Sequence, residues 1–419
     1  MKPYRVIMIG ENLPFPVDRR IRHEACALHS FGYEVYVITP KGRNECQAGF
    51  EMYSGIHLYR YRQFWQGAGP FTYILEYGWA LICTFLLALR IWLRHGFDAI
   101  HLANPPDLLF LVALPFKALG KKLIFDHHDL SPETYEAKFG RRDLLYRVLR
   151  VLERLSYATS DLIITVNQSF VDIAKERGGV QSERLFIVRN GPDLRYFSRV
   201  PASPQLKQGY RYMVAYVGFM GSQDGVDRLV RAAKELLRIR GRKDVLFVII
   251  GKGDCWQELR ALTDACGVSD RVFFPGRVTD EELRSYLSTA DLCAAPDPPS
   301  RVNRISTMNK IMEYMVCGSP IVSFDLIETR YSAQDAAVYV ADDDPAQFAA
   351  AIHSLLEDPE RRAWMGAAGL RRATTELHWG RSEEKLLQAY GFLGAPVPKR
   401  ETGRTLDRPE QALARERVV

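Results

Sequence analysis

No Cys-x-x-Cys pair occurs in this chain of 419 residues; its seven cysteines (26, 46, 83, 255, 266, 293 and 317) are scattered, several of them inside apolar runs. That spacing excludes a zinc ribbon and a disulfide framework and fits a reducing, cytoplasmic setting. No signal peptide is expected before Arg5–Gly10, which already reads as a strand. The dinucleotide fingerprint Gly-x-Gly-x-x-Gly and the P-loop are both missing. Charge of one sign is scarce. Residues 1–200 hold 26 Lys+Arg against 20 Asp+Glu, and the remaining 219 hold 30 against 30. This mild, unclustered excess argues against nucleic acid as a partner, and suits a negative surface or an anionic acceptor bound by the first half.

What is present is alternation. In the first half, apolar runs at Val6–Gly10, Val35–Ile38, Ala99–Leu102, Lys122–Phe125, Leu162–Val166 and Phe186–Val188 alternate with helical segments. Asp18 caps the first of these helices, and Asp107–Leu119 and Leu144–Ala158 are two more. The second half repeats the scheme with Met213–Val217, Val245–Ile250, Val272–Phe274, Leu292–Ala295 and Pro320–Phe324. A content of 47% hydrophobic residues over this length suits two domains of about 200 residues each. The expected class is α/β, with two doubly wound Rossmann-like domains at 1–200 and 210–380 joined by a Pro/Ser/Gln-rich linker near Arg195–Gly209. A last helix spans 381–393, and 394–419 reads as a disordered tail.

The stretch Ser300–Asp325 reads as loop, helix, Gly-Pro turn and buried strand. Ser306 or Thr307 can cap the helix, which carries Asn309, Lys310 and, one turn on, Glu313. A helix start has unpaired N–H groups and partial positive charge, so with Lys310 beside it the site suits an anion. Glu313 could accept hydrogen bonds from two sugar hydroxyls. Phosphate with ribose is half a nucleotide. An ordinary amphipathic helix with surface charges is the competing reading. Gly218-Phe219-Met220-Gly221, after another strand, would let backbone N–H groups approach the same ligand, since ligands bind beyond the carboxyl ends of strands in such folds.

In the first half, Asp126-His127-His128-Asp129 follows a strand. His128 could donate to a substrate hydroxyl or share charge with Asp129; Asp129 or Ser131 could instead cap the next helix. Adjacent residues rarely ligate one ion, so no metal site is expected there. Asp342-Asp343-Asp344, followed by Pro345, reads as a helix start rather than a metal cluster. Residues 73–93 are apolar, but the uncharged core Tyr77–Leu89 has 13 residues against the about 20 a spanning helix needs. Contact with a membrane surface, core packing and a true span all remain open for it.

Taken in order, Asn190-Gly191-Pro192-Asp193, Gly218–Gly221, Ile250-Gly251-Lys252-Gly253, Phe274-Pro275-Gly276-Arg277-Val278, Ala290-Asp291-Leu292 and Lys310–Val322 form one pattern. Over residues 3–393 it resembles the family 4 retaining glycosyltransferases of the GT-B fold. The versions Ser306–Lys310 and Asp129–Glu133 look like the subgroup in bacterial surface-polysaccharide and lipid-linked oligosaccharide assembly. The resemblance implies two Rossmann-like domains with a cleft between them, a UDP- or GDP-sugar donor on the second domain, and a glycan or lipid-linked acceptor on the first. By that match Glu313 holds the ribose, Lys310 the diphosphate, Arg277 and Val278 the base through their backbone, and His128 the donor sugar, with Gly221 near the phosphates. Neither cofactor nor metal is implied. Three departures stand out. Ile305 replaces a common Glu, Phe219 and Asp224 replace the usual Arg and Lys, and the double glycine is missing from Glu11–Val17. Arg301, Arg304 and Lys310, with Arg19 as a weaker choice, are left to meet phosphate charge. Rival readings are a dehydrogenase, a nucleotide-sugar epimerase of the same fold and a non-catalytic scaffold.

Overall fold

Runs of Val, Ile, Leu and Ala without charge become buried parallel strands, because helices cover both faces of each sheet. The computed structural model describes residues 2–42, 48–64 and 70–396; Cys46 and the expected tail beyond residue 396 lie outside them. The chain divides into two units, residues up to Val188 together with those from Glu383 on, and Arg189–Ser382.

The first unit holds β1 (Arg5–Gly10), β2 (Glu34–Pro40), β3 (Phe50–Tyr53), β4 (Ile56–Tyr61), β5 (Ala99–Ala103), β6 (Lys122–His127), β7 (Leu162–Thr165) and β8 (Leu185–Ile187). They lie in the order β3-β4-β2-β1-β5-β6-β7-β8, all parallel except the β3–β4 hairpin. Its helices are α1 (Arg19–Ser30), α2 (Pro70–Arg94), α3 (Phe110–Ala118), α4 (Ser131–Phe139), α5 (Leu144–Thr159) and α6 (Gln168–Gly178). Asp18 caps α1 as expected, its carboxylate accepting from the Arg20 and Ile21 amides at 3.0 and 3.1 Å.

The second unit holds β9 (Tyr212–Val217), β10 (Val245–Ile250), β11 (Val272–Gly276), β12 (Leu292–Ala295), β13 (Ile321–Phe324) and β14 (Ala337–Val340), parallel throughout in the order β11-β10-β9-β12-β13-β14. Its helices are α7 (Val226–Arg240), α8 (Trp256–Cys266), α9 (Asp280–Thr289), α10 (Arg301–Ile305), α11 (Asn309–Val316), α12 (Ile327–Ala333), α13 (Pro345–Glu357) and α14 (Pro359–Thr375). The last helix, α15 (Trp379–Phe392), carries the chain from this unit back into the first. Within the first unit its Tyr390 packs edge-on against Tyr33 and meets His101 Nδ1 at 2.9 Å.

Residues 189–200, expected with the first domain, belong to the second unit. Leu194, Phe197 and Leu206 pack on the core beneath β9 and β12, while the Val200 and Ser203 amides donate to Ser288 and Thr289 on α9. The expected linker is thus fastened to the second sheet. The helix expected from Asp107 begins instead at Phe110, because Asn104 Nδ2 holds the Asp107 carboxylate at 2.9 Å ahead of the first turn.

Candidate functional site

In the second unit the strand order reverses between β9 and β12, since β10 and β11 extend one way and β13 and β14 the other. The carboxyl ends of those two strands form a switch point, where ligands enter open α/β sheets. Two loops meet there. Asn303 Nδ2 donates to the Gln223 carbonyl at 2.9 Å, and a Cβ on Gly225 would stand 2.0 Å from the Pro296 carbonyl oxygen. Gly225 has φ +67°, so both its space and its backbone angle require glycine.

The expected single helix start is split. Arg301–Ile305 is a short helix capped by Ser300, whose hydroxyl accepts from the Asn303 amide. Ser306 does not cap α11; its hydroxyl donates back to the Val302 carbonyl at 2.8 Å, closing the preceding turn. Met308 occupies the N-cap without a side-chain hydrogen bond, so Thr307 does not fill that role either. Asn309 and Lys310 are therefore the first two residues of α11, nearer its positive end than the sequence suggested. Glu313 follows on the same side, half-buried. Tyr314 on α11 fixes the helix to both strands, its hydroxyl accepting from the Val217 amide at 3.0 Å and donating to the Ala294 carbonyl at 3.2 Å.

Lys310 is the centre of the site. Its ammonium lies 2.7 Å from Asp297 Oδ1 and 4.7 Å from the Tyr216 ring centroid. Burial alone would depress this amine, but Asp297, Tyr216 and Asp224 hold it above the usual lysine range. It is charged at every physiological pH. Asp297, buried after β12, was not singled out in the sequence; the Pro296–Pro299 context reads as a turn and conceals it. Its second oxygen, Oδ2, is buried without a hydrogen-bond partner among the described residues.

The glycine loop differs from expectation. The Gly218 amide donates to the Ile250 carbonyl and the Gly221 amide to the Asp224 carboxylate at 2.9 Å. Neither is turned outward as an anion donor here. What the glycines provide is close approach: a Cβ on Gly251 would lie 2.0 Å from the Gly218 oxygen, and one on Gly253 2.4 Å from the Met220 nitrogen. Burial, partly offset by Lys310, raises the Asp224 carboxyl above its ordinary range. Arg277 is exposed and Val278 half-buried just beyond β11, two strands from the switch point. Arg301 and Arg304 are exposed on α10.

In the first unit, Asn104 after β5 organises the loop after β6. Its Oδ1 accepts from the His128 and Asp129 amides at 2.9 and 3.1 Å, and its Nδ2 donates to the Asp129 carbonyl at 2.7 Å. The His128 ring sits 3.1 Å from Asp126, which also receives Arg20 Nε and Nη2 at 2.6 and 2.5 Å. Burial would raise the Asp126 carboxyl, yet Arg20 and His128 hold it far below the carboxylate range. His128 therefore leans on Asp126, two residues back, rather than on Asp129. Asp129 accepts from the Thr134 hydroxyl at 3.1 Å and caps no backbone amide of α4. Arg20, not its neighbour Arg19, is the cation built into this site.

Glu24, His101 and Asp126 lie close enough to share an ion, and are the group of that kind found among the described residues. Arg20 already sits among them, 3.2 Å from Glu24 and doubly bonded to Asp126. Burial, reinforced by Asp126, raises the Glu24 carboxyl well above its usual range; burial, opposed by Asp126, lowers His101 to about 4. In the Asp342–Asp344 run, each side chain has a protein partner. Asp342 accepts from Gln347, Asp343 pairs with Arg228, and Asp344 caps α13 through the Ala346 amide at 2.8 Å. An open depression of about 750 Å³ lined by Tyr210, Arg242 and Lys243 lies at the amino ends of β9 and β10, opposite the switch point.

Two family models match the chain in tandem. Residues 17–196 match Glycosyltransferase Family 4, and residues 211–358 match Glycosyl transferases group 1. The D-inositol 3-phosphate glycosyltransferase of Salinispora tropica is 27% identical over 292 residues, 65% of this chain and 59% of that protein. The alpha-D-kanosaminyltransferase of Streptomyces kanamyceticus is 34% identical over 157 residues, 37% of this chain and 39% of that protein. The matches span less than two thirds of either relative. Among solved structures, sucrose-phosphate synthase from Thermosynechococcus elongatus superposes with a TM-score of 0.77 at 20% identity, over 94% of this chain and 99% of that one. WaaG, a glycosyltransferase involved in lipopolysaccharide biosynthesis, gives 0.67 at 16% identity over 93% and 100%. Two parallel Rossmann-like sheets, a ligand-type switch point in the second and this pair of tandem matches place the chain in the GT-B glycosyltransferases of family 4 and group 1.

Proposed function

We propose that the chain moves a sugar from a UDP- or GDP-sugar to a glycan or lipid-linked acceptor, with retention at the anomeric carbon and without a metal. The observation that carries this reading is the charged Lys310, its side chain 10% exposed and paired with Asp297, at the start of α11, at the β9/β12 switch point. As the anomeric C–O bond breaks, its electron pair goes to the diphosphate. Lys310 and the first amides of α11 stabilise that charge, with Ser306, Thr307 and Arg301 beside them. Glu313 accepts from the ribose hydroxyls, Arg277 and Val278 border the base, and the Gly218–Gly221 turn shapes the wall next to the phosphates. The acceptor oxygen then bonds to the anomeric carbon on the same face, and its proton passes to the leaving phosphate oxygen. In the first unit, His128 and Asp129 are the proposed groups for handling the sugar and acceptor.

Support comes from relatives named as glycosyltransferases and from a fold neighbour, Anabaena HepE, solved with UDP-glucose. The setting proposed is surface-polysaccharide or lipid-linked oligosaccharide assembly, in the cytoplasm at the inner face of the membrane. The name of WaaG and the apolar residues 73–93 favour it. Thermal-shift screening against nucleotides and nucleotide sugars selects the donor, because a ligand of the folded state raises its melting point. With that donor, Lys310→Ala is expected to lower turnover by about 10²–10³-fold, the loss typical of a removed transition-state donor. Unchanged turnover would overturn the assignment. The internally satisfied amides of Gly218 and Gly221 favour one second reading, a scaffold without activity; donor hydrolysis or transfer above background excludes it.

A further inference from the structure

Twelve of the 22 exposed large apolar side chains among the described residues lie on α2, on α3 with its C-cap Leu119, and on α5. The three helices form one layer, α3 packing against both α2 and α5. The distribution on α5 inverts that of an ordinary surface helix. Leu144, Val148, Val151 and Leu155 recur at helical spacing and face solvent, Leu144 at 76% exposure. The inner face of the same helix is built from Tyr146, Glu153, Ser156 and Tyr157. On α2 the outward stripe is Ile82, Leu86 and Leu93, while Ala80, Ala88 and Ile91 enter the core of the unit.

The exposed charges carried by these three helices are of one sign. Arg90 and Arg94 on α2, and Arg147 and Arg154 on α5, are exposed, and none pairs with a carboxylate among the described residues. The two acidic side chains on the layer are withdrawn: Glu76 is half-buried and Glu153 is buried against Arg177. Apolar stripes edged by unpaired arginines match a surface that is anionic outside and hydrocarbon beneath. We propose that this face of the N-terminal unit rests on an anionic lipid bilayer, the α5 and α2 stripes among the upper acyl carbons and the four arginines at headgroup phosphates. This deepens the reading given above for residues 73–93, from one helix to a three-helix face. It also selects lying over spanning. Leu75–Arg94 has the length and composition to cross a membrane, but removing α2 from the unit would expose the core seats of Ala80, Ala88 and Ile91. A second copy of the chain is a poorer occupant, because two such faces would bring arginine against arginine.

The test is co-sedimentation of the full chain with vesicles of phosphatidylcholine alone and of phosphatidylcholine with phosphatidylglycerol, without donor or acceptor. Binding is expected to the mixed vesicles, falling with salt, and little to the neutral ones. Val148→Glu/Val151→Glu is expected to weaken binding by at least about tenfold, since each charge sits where an apolar side chain should insert. Arg147→Glu/Arg154→Glu should do the same while leaving the apolar stripe intact. All four positions are solvent-facing or at the edge of the layer, so melting temperatures should match the wild type. The proposal is overturned if the wild type ignores mixed vesicles, if both variants bind as the wild type does, or if the variants instead dissolve a dimer seen by light scattering. Turnover on a soluble acceptor is followed in parallel. In the variants it is expected to stay at the wild-type level; in the wild type, vesicle binding without turnover counts against the transfer reading, and turnover without binding to mixed vesicles counts against this surface.

Discussion

Lys310 and Asp297 depend on one another. The lysine side chain is only 10% exposed, and that desolvation would favour loss of its proton without the buried carboxylate 2.7 Å away. Asp297→Asn keeps the shape and removes the charge, so it should destabilise the protein by about 3–5 kcal/mol, as expected when one partner of a buried pair is lost. If a diphosphate binds at Lys310, it becomes the counterion in that variant. Saturating UDP-sugar should then raise the melting temperature of Asp297→Asn more than that of the wild type; an equal or smaller rise would separate the nucleotide from this lysine. A second residue-scale expectation concerns Glu11, buried beside Gln63. Burial, with Glu76 adding to it, raises its carboxyl to about 7. A raised folded-state value means that its contribution is fully present below the ordinary value near 4.5 and is lost as pH rises through 7. Above that, the native state holds a buried carboxylate at a cost on the order of 3 kcal/mol. Glu11→Gln should therefore stabilise at pH 8 and change little at pH 4 in denaturant titrations; a pH-independent effect would contradict this. His101 and His127 are lowered by burial to about 4 and about 3, so their ring resonances should stay flat from pH 8 to 5.

At the scale of elements, caps and apolar runs were legible. Asp18 caps α1, Asp344 caps α13, and nearly every expected strand falls within two residues of its place. Asp344→Ala should accordingly cost about 1 kcal/mol, the worth of one N-cap, read from its melting curve. Asp343→Ala, which loses only a half-exposed pair with Arg228, should leave turnover unchanged; a large activity loss would reopen the metal reading of this run. The β3–β4 hairpin and β14 were not read as strands. Glu51, His57 and Arg60 interrupt the apolar pattern of the hairpin, which gains its strand character by pairing with the edge of β2. The break between α10 and α11 was equally hidden, because Ser306 and Thr307 are as suitable for a cap as for the turn they occupy. Asp297 and Asn104 follow strands and precede prolines. Only tertiary contact shows that they organise the loops around Lys310 and His128.

For the whole molecule, the fold class followed from two cycles of strand and helix, each with its own parallel sheet. The unit boundary did not, since the polar composition of residues 195–209 reads as a linker although Val200 and Ser203 within it are fastened to α9. The central claim joins the scales: a lysine held charged against burial by Asp297, at the start of one helix, at the strand reversal of the second sheet, takes the negative charge leaving a sugar. The most direct measurement is a crystal structure with the nucleotide-sugar donor bound. The diphosphate is predicted within hydrogen-bonding distance of Lys310 or the first amides of α11, with the ribose at Glu313. A diphosphate lodged at the amino ends of β9 and β10, or anywhere else away from residues 306–313, would contradict the account.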